Sequence, residues 1–547
     1  MSAENFLHFL PQKIFKLMKN INLIILLCLP LFGWSQAEKA PAILSWGDEL
    51  KEPTGTFIEK IVNSNSNGMI TVRQKRSVLD NTPKIYVERY DSKMKLRRSE
   101  KIDLKYKNSD LQFEDLIHLN GQLYLLTSYN NKAKEKNFLF YQTVSQRFTA
   151  SKKLNKIAEI NTGSWIKEGS YDIEISKDST KVLVYGQLPY KRNEAEKFTL
   201  NVFNNNFEPV WNRDITLPYS DELLAVQEYK VDDSGNVYLL GKLYYDKVRS
   251  RRNGMPNYHY IILAYTGGDE QAAEYKIDLK DKFITDLTFK IGNDGNLVCA
   301  GFYSERLSYS VKGTCFFGIN AQTKETFNIH LKEFDFDFLT EYMSEGAKER
   351  AKRAEESGNK RRAPELFRYS LDDLILRSDG GAVLIAEQYY IEEYRYYDRF
   401  GTNQTIYYYN YNDIIVVNIR PDGSIEWATH IPKRQQTRND GGYYSSYSKA
   451  VVRDKLYFVF NDNIRNFSEK ENRRKRRRIY YFDGRNSVIA LAELNKDGNL
   501  KTWPLYPNRD ANIITRPKIC RQTGSRKMVI YGERGKRYRF ANLFFEN

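Results

Sequence analysis

The segment LLAVQEYKVDDSGNVYLLGKLYYD, residues 223–246, decides the fold of this chain. Two runs of alternating apolar and polar residues flank Ser234-Gly235, which is the pattern of two antiparallel strands joined by a tight turn. Two further strand-like runs follow, YHYIILAYTG (258–267) and AEYKIDL (273–279). The segment therefore predicts a four-stranded antiparallel meander.

The second strand of this meander recurs along the whole chain. Its copies are GMITV (68), GQLYLL (121), KVLVYG (181), GNVYLLG (235), GNLVCAG (295), GAVLIAE (381), KLYFVF (455) and KMVIYGE (527). The spacing is about 53 to 60 residues in the first half and about 72 to 86 in the second, where insertions lengthen it. Such a period indicates one structural unit repeated eight times.

The fourth strand of the unit carries a recurring tryptophan. Trp211, Trp427 and Trp503 each follow a turn by a few residues and precede a proline. Forty Tyr and thirty Phe also favour strands over helices. A repeated four-stranded meander in an all-β chain predicts an eight-bladed β-propeller, with seven blades as the alternative.

The last copy has three strands of its own, and the missing outer strand is predicted at the other end of the chain. AILSWGDELKEP (42–53) is a single strand with Trp46 in the tryptophan position. We expect it to pair with YRFANLFF (538–545) and to close the ring. Residues 37–547 are thus expected to form a single propeller domain. About residues 42–547 resemble the β-propeller superfamily, of the exported bacterial type, without the motifs of a particular subfamily.

Residues 1–36 have the features of a secretory signal peptide. Lys16 and Lys19 precede the apolar run INLIILLCLPLFGW (21–34), which is followed by small residues and is too short to span a bilayer. Translation starting at Met18 is an alternative. The chain is therefore expected to be exported, to the periplasm, to the outer membrane as an associated protein, or to the medium.

The chain is strongly basic, with a formal net charge of +16. In an exported protein this charge favours an envelope protein or an acidic glycan as partner, with peripheral membrane contact as a further option and no role for nucleic acid. Cys299, Cys315 and Cys520 form no disulfide framework; Cys299 and Cys315 are either bridged or buried thiols.

Long insertions are predicted on one face of the propeller, because they fall between second and third strands or between blades. They include 337–367, which favours a helix of about twenty residues, and the loops 387–413 and 462–486. Aromatic and basic side chains concentrate there, and the nine tyrosines of 387–413 are expected either to extend the strands or to form a docking platform. The predicted binding residues are Tyr389, Tyr390, Tyr394, Arg395, Tyr396, Tyr397, Arg399, Tyr407, Tyr408, Tyr409, Arg473, Arg474, Lys475, Arg476, Arg477, Arg478, Arg249, Arg251 and Arg252.

Catalytic and metal-binding motifs do not stand out. The histidines lack metal-ligand spacing, so neither a metal site nor a cofactor is predicted. Asp372 and Asp373, in or beside the innermost strand of blade six, are the best channel-facing carboxylates, and a glycosidase pair would have to combine different blades.

The hypothesis that best fits these patterns is a non-catalytic, exported binding or scaffold protein that uses its insertion-rich, basic and Tyr-rich face. One alternative is a propeller glycosidase or polysaccharide lyase with its site at the channel mouth. A second alternative is an accessory subunit of an outer-membrane complex.

Overall fold

Antiparallel strands form nearly all of the computed structural model of this protein. The structure describes residues 39–546 except 76–82, 107–108, 163–167, 190–193, 253, 269–271, 278, 280–281, 293, 307, 324, 398–401, 468–478 and 485. The predicted signal peptide, residues 1–36, lies outside the described residues. The prediction of an all-β propeller fold is confirmed by the sheets that follow.

Sheets 1 to 4 are four-stranded meanders in chain order. Sheet 1 contains Thr56–Asn65, Gly68–Lys75, Lys84–Asp91 and Leu96–Ile102. Sheet 2 contains Gln112–Leu119, Gln122–Asn131, Lys136–Val144 and Asn155–Asn161. Sheet 3 contains Ser170–Ile175, Lys181–Gln187, Ala195–Asn204 and Pro209–Ser220. Sheet 4 contains Leu224–Val231, Val237–Tyr244, Tyr258–Tyr265 and Ala273–Ile277, which are the four strands expected from the opening segment.

Sheets 5 to 7 repeat the same order with longer connections. Sheet 5 contains Phe283–Ile291, Leu297–Ser304, Gly313–Ile319 and Thr326–Glu333. Sheet 6 contains Tyr369–Leu376, Ala382–Tyr397, Asn403–Ile419 and Ile425–Ile431, with Gln435–Arg438 added along the third strand. Sheet 7 contains Tyr447–Val452, Lys455–Asn463, Ser487–Leu494 and Leu500–Pro507.

Sheet 8 combines the two ends of the described chain. Ile514–Thr515 and Arg521–Gly524 both pair with Lys527–Arg534, which pairs with Arg537–Phe545. The fourth position is taken by Ala42–Trp46, which pairs antiparallel with the last strand from Ala42 opposite Phe545 to Trp46 opposite Ala541. Leu50–Lys51 continues along the same strand.

The remaining regular elements of the described residues are short. Two-residue hairpins or bridges join Lys105–Tyr106 to Ser109–Asp110, Arg251–Arg252 to Met255–Pro256, and Ser310–Val311 to Leu366–Phe367. 3₁₀ turns cover Lys132–Lys134, Ile464–Phe467 and Pro517–Ile519. No helix in the described part of the chain is long and apolar enough to cross a membrane.

The core lies between consecutive sheets. Six buried apolar clusters join sheet 1 to 2, 2 to 3, 3 to 4, 4 to 5, 5 to 6 and 6 to 7. Aromatic pairs continue the series: Tyr457 of sheet 7 lies 4.5 Å from Phe545 of sheet 8, and Phe540 of sheet 8 lies 4.8 Å from Tyr90 of sheet 1, between ring centroids. Sheets 2 to 6 therefore bury both faces against their neighbours, which explains why their central strands are almost continuously apolar.

The insertion after sheet 5 differs from the single helix expected. It forms two helices, Phe336–Thr340 and Glu345–Glu356. The first buries Leu339 and Thr340 against the core between sheets 5 and 6, whereas the second is mostly exposed and buries only Ala351 and Ala354. Residues 341–344 separate the two helices, and Ser344 is the N-cap residue of the second.

The alternatives left open for the cysteines are settled by the strand register. Cys299 lies opposite Phe317 and Cys315 lies opposite Gly301, so the two are offset along neighbouring strands. Cys299, Cys315 and Cys520 are all buried free thiols, and burial raises the pKa of each one.

Candidate functional site

The first strands of consecutive sheets contact one another. These contacts join sheet 1 to 2, 3 to 4, 5 to 6, 7 to 8 and 8 to 1. Side chains from different sheets therefore meet along these strands, which is the condition that a carboxylate pair from different blades requires.

A β-bulge interrupts five of the first strands at a corresponding position. The extra residues are Glu59, Glu114, Gln227, Thr285 and Asp372. A bulge bends the strand and changes the direction of the side chains that follow it. The residue after each bulge is charged: Lys60, Asp115, Glu228, Asp286 and Asp373.

Three of these bulges share the dipeptide Asp-Leu. Asp115, Asp286 and Asp373 each accept a hydrogen bond at Oδ1 from the backbone N–H of the following leucine, at 2.7, 3.0 and 2.9 Å. The leucines are buried in the core. The same dipeptide also occurs at Asp103-Leu104, Asp110-Leu111 and Asp278-Leu279, so by itself it does not identify the bulged positions of sheets 2, 5 and 6.

Two groups of paired charges lie on sheets 4 to 7, and Glu174 of sheet 3 interacts electrostatically with both; together we call them the charge belt. Its members are Glu174, Glu228, Lys230, Lys290, Asp373 and Lys449. The paired members keep 17 to 38% of their side-chain surface exposed, so they are open to solvent and to a ligand.

Asp373 is the centre of the belt. Its Oδ1 lies 3.5 Å from Lys290 Nζ of sheet 5 and its Oδ2 lies 2.9 Å from Lys449 Nζ of sheet 7. Burial alone would raise the pKa of Asp373, but the two ammonium groups outweigh it and hold that pKa below its usual range. Asp373 is therefore an ionised carboxylate.

Glu174 is the opposite case. Burial raises the pKa of this half-buried carboxyl; Lys230 and Lys290 act against the shift and Glu228 adds to it. Glu228 itself pairs with Lys230 and accepts a hydrogen bond of 2.9 Å from Thr288 Oγ1 of sheet 5. Within the belt, the pKa of one carboxyl is thus raised and the pKa of another is lowered.

Asp372 and Asp286, in contrast, link neighbouring sheets. Tyr447 of sheet 7 donates a hydrogen bond of 2.7 Å to Asp372 Oδ2. Asp286 Oδ2 accepts 2.8 Å from the Leu371 N–H of sheet 6, and burial raises the pKa of Asp286 to about 6. Of the two carboxylates singled out in the sequence, Asp373 therefore belongs to the belt and Asp372 is tied to a tyrosine.

The Tyr-rich loop is an extension of two strands. The second and third strands of sheet 6 stay paired as far as Tyr397 opposite Asn403. Tyr394, Tyr397 and Tyr407 are 58, 75 and 41% exposed. The remaining predicted tyrosines of this hairpin, Tyr389, Tyr390, Tyr396, Tyr408 and Tyr409, lie on the same two strands, away from the belt.

The predicted basic residues are dispersed. Arg395 pairs with Glu393 on its own strand, and Arg249 and Arg252 both pair with Asp246, at 2.9 and 3.4 Å. Arg251 is exposed on the short hairpin beside them. Arg399 and the run Arg473, Arg474, Lys475, Arg476, Arg477 and Arg478 lie outside the described residues.

Among the residues that the structure describes, no group of three or more His, Cys, Asp and Glu side chains is arranged to hold a metal ion.

Comparison with known proteins gives similarities of fold. No family model and no curated protein matches the chain. The β-propeller domain of the trilobed protease from Pyrococcus furiosus matches over 82% of this chain and 95% of its own, with 10% identity and a TM-score of 0.33. Acylaminoacyl peptidase from Pyrococcus horikoshii matches over 75% of this chain and 59% of its own, with 10% identity and a TM-score of 0.31. The α-L-arabinanase of Penicillium chrysogenum, complexed with arabinobiose, matches over 72% of this chain and 97% of its own, with 8% identity and a TM-score of 0.28.

The class defined by the sheets and matched by these structures is the β-propeller. The prediction of a non-catalytic binding or scaffold protein does not agree with this comparison, in which the matched propellers belong to a protease, a peptidase and an arabinanase. At 8 to 10% identity this similarity assigns no activity to the chain. The alternative of a propeller glycosidase or polysaccharide lyase therefore depends on the residues of this chain.

Proposed function

We propose that this protein is an exported glycoside hydrolase built on a single eight-bladed propeller, with the charge belt as its active site. Eight blades follow from taking each of sheets 1 to 8 as one blade, with Ala42–Trp46 completing the last. Contacts between sheets 8 and 1 support closure: Tyr90 and Tyr538 share a hydrogen bond of 3.1 Å, and Asn542 Nδ2 donates 3.0 Å to Ser92 O.

The observation that carries the proposal is the opposite pKa shift of Glu174 and Asp373 within one belt. Glycoside hydrolysis needs a protonated carboxyl to donate to the leaving oxygen and an ionised carboxylate at the anomeric carbon. The environment of each carboxyl shifts its pKa and thereby assigns it the role of proton donor or of ionised carboxylate. Glu174 is the proton donor, and Asp373 is the carboxylate that acts as nucleophile or as base toward water.

An acidic glycan is the substrate class that the belt favours. Lys230, Lys290 and Lys449 stand beside the two carboxyls, and the whole chain carries a net charge of +16. Cationic side chains close to the reacting bond would neutralise the carboxylates or sulfates of such a polymer and raise its local concentration.

The same cations also suit a polysaccharide lyase, which must neutralise a uronate carboxylate before a proton is removed beside it. The two reactions leave different products. Both reactions create a new reducing end. Hydrolysis leaves a saturated sugar at the other new end, whereas elimination leaves an unsaturated uronate that absorbs in the ultraviolet.

The experiment is an assay of the purified chain on a panel of neutral and acidic glycans, with reducing ends and ultraviolet absorbance measured together. We expect reducing ends without the chromophore, and a loss of at least about a hundredfold in turnover for Glu174→Gln and for Asp373→Asn. Glu100→Gln is the matched control, since Glu100 lies on the outer strand of sheet 1 and pairs with Arg98 at 3.0 Å. Activity that survives both belt substitutions in folded protein would overturn the proposal, and the chromophore would turn it to the lyase.

A further inference from the structure

The two long strands of sheet 6 form a hairpin that extends beyond the first strand of that sheet. The second strand pairs with the first only as far as Gln388, and it stays paired with the third as far as Tyr397. At about 3.3 Å per residue, the segment 389–397 extends about 30 Å past the end of the first strand. This length equals that of an ordinary strand or more, so the segment can pair with a further strand.

Only one side of the hairpin is covered. Gln435–Arg438 pairs along the third strand, whereas no strand of the described residues pairs with the outer side of 390–397, which we call the open edge. A groove of about 610 Å³, lined by Phe367, Arg368 and 390–394, lies beside the open edge and leaves it accessible. An uncovered strand edge presents N–H and C=O groups that can pair with another chain.

The backbone groups of every second residue face outward along the open edge. The N–H of Tyr389 donates 3.0 Å to the carbonyl oxygen of Arg368, on the side of the first strand. From Tyr389 to Tyr397 the pairing with the third strand has no bulge, so this alternation continues without interruption. The outward-facing residues are Ile391, Glu393, Arg395 and Tyr397.

The side chains of the open edge complement those of a second copy that runs antiparallel to it. When Tyr394 lies opposite Tyr394 of the second copy, Glu393 lies opposite Arg395 of the second copy, and symmetry makes this ion pair twice. Ile391 lies opposite Tyr397, and these two side chains are 42 and 75% exposed in the single chain. Both pairs join outward-facing residues, which exchange backbone hydrogen bonds.

Neighbouring registers lack this complementarity. With Glu393 on the two-fold axis, two carboxylates lie opposite each other, and with Arg395 on the axis, two guanidinium groups do. Like charges directly opposite each other destabilise a sheet. A shift of one residue in one copy alone would place outward-facing residues opposite inward-facing ones and break the hydrogen bonding. The charges of the open edge therefore select the register with Tyr394 on the axis.

We propose that two copies of this chain associate through the open edge, as an antiparallel strand pair with Tyr394 on the two-fold axis. Glu393 and Arg395 pair on their own strand, and their side chains remain 38 and 69% exposed, so each can take a second partner from the other copy. The proposal goes beyond the hydrolase function and stands without it, because it uses none of the residues of the belt.

Sedimentation velocity of the purified full chain over a series of micromolar concentrations tests the association. We expect a monomer–dimer equilibrium. Glu393→Pro should abolish the dimer, because it removes an outward-facing N–H, whereas the pairing within the hairpin uses the inward-facing groups. Glu100→Pro is the matched control, since Glu100 lies on the outer strand of sheet 1, and it should leave the dimer unchanged.

Charge reversal tests the register. Glu393→Arg alone and Arg395→Glu alone should each weaken the dimer by about tenfold, because symmetry doubles every like-charge pair. The double variant, Glu393→Arg with Arg395→Glu, exchanges the two charges and should recover the affinity of the wild type. Glu100→Arg makes the same change of charge on sheet 1 and should have no effect on the dimer.

Cross-linking locates the axis. Residues opposite each other in a pair that exchanges no backbone hydrogen bonds have Cα atoms about 4.5 Å apart, within the range that a disulfide requires. Tyr394→Cys should therefore form a disulfide-linked dimer when two thiols are oxidised by copper phenanthroline, and Tyr396→Cys, two residues along the strand, should not. Cys299, Cys315 and Cys520 are buried free thiols and give little background.

The contrary results are equally definite. A monomer at every concentration, a dimer that persists in Glu393→Pro, a double variant that fails to recover the affinity, or equal cross-linking of the two cysteine variants would overturn the proposal. Thermal unfolding checks that each variant folds; if Glu393→Pro does not, the charge and cysteine variants decide the question. None of these substitutions touches Glu174 or Asp373, so the glycan assay of the belt can fail or succeed independently.

Discussion

Asp462 is a carboxylate held inside the protein at the end of the second strand of sheet 7. It is 3% exposed, and burial raises its pKa to about 7. Both of its hydrogen bonds, from the Asn463 N–H and from Asn466 Nδ2 at 2.7 Å each, are accepted by Oδ1. An asparagine side chain can keep both bonds, so charge is the property that a substitution changes here.

The first prediction concerns pH. Because the pKa of Asp462 in the folded state is above its ordinary value, its contribution to stability is fully present below about pH 4 and is lost as the pH rises to about 7. Asp462→Asn should therefore match the wild type at about pH 4 and exceed it at about pH 8 by a few kcal/mol, on the order of 4. Urea unfolding at both pH values measures the difference. The exposed Asp454→Asn, in the turn before the same strand, should show no such gain, and equal stabilisation in both variants would refute the explanation.

At the scale of elements, the bulged first strands are the feature that organises the site. The bulge directs Asp286 of sheet 5 toward sheet 6, where it accepts from the Leu371 N–H, and it directs Asp373 toward two lysines. The same local geometry therefore serves one structural and one candidate catalytic carboxylate. What surrounds each aspartate decides which role it has.

We predict that Asp286→Ala lowers the free energy of unfolding by about 1 to 3 kcal/mol, because the Leu371 N–H between two sheets loses its acceptor. Asp286→Asn, which keeps one amide oxygen, should lose less. Thermal and urea unfolding of both variants would check the order, and a larger loss in the asparagine variant would contradict it.

Sequence reasoning reached part of this site. It singled out Asp372 and Asp373 and recognised that a pair must combine blades, but it did not find Glu174 or the lysines. Lysines and glutamates on alternating strands are common, and Glu174 and Lys449 lie on first strands without a bulge, so only the three-dimensional structure shows which of them face a neighbouring sheet. The Asp-Leu dipeptide was available in the sequence, yet it becomes meaningful only at equivalent positions of three sheets.

At the scale of the whole molecule, the N-terminal segment connects the first and last sheets. Beyond the strand Ala42–Trp46, Glu52 pairs with the guanidinium of Arg73, which is 1% exposed. Arg73 also bonds Glu88 at 2.7 Å and lies 4.5 Å from the centroid of the Tyr538 ring. One buried cation thus joins residues from the N-terminal segment, sheet 1 and sheet 8.

Deletion of residues 39–53 tests the proposed closure. Because it uncovers the edge of Arg537–Phe545 and removes one partner of a buried arginine, we expect a fall of about 5 °C or more in the unfolding temperature, together with aggregation. Ile43→Ser is the control, since Ile43 is 51% exposed and the strand stays in place. Calorimetry measures the unfolding temperature and gel filtration measures aggregation. Unchanged stability of the deletion variant would contradict the proposed closure.

The sequence by itself determined the all-β propeller class, the order of strands within each sheet, and the pairing of the first described strand with the last. The alternation of apolar and polar residues and the residues of tight turns are local features of the sequence. The repeat period shows which of these strands and turns form one structural unit. Only the tertiary structure decided that Asp373 stands between Lys290 and Lys449 and that the inserted helix breaks in two. Those facts depend on distances between sheets and on burial, because the pKa and the partners of a charged side chain are set by neighbours that are far apart in the sequence.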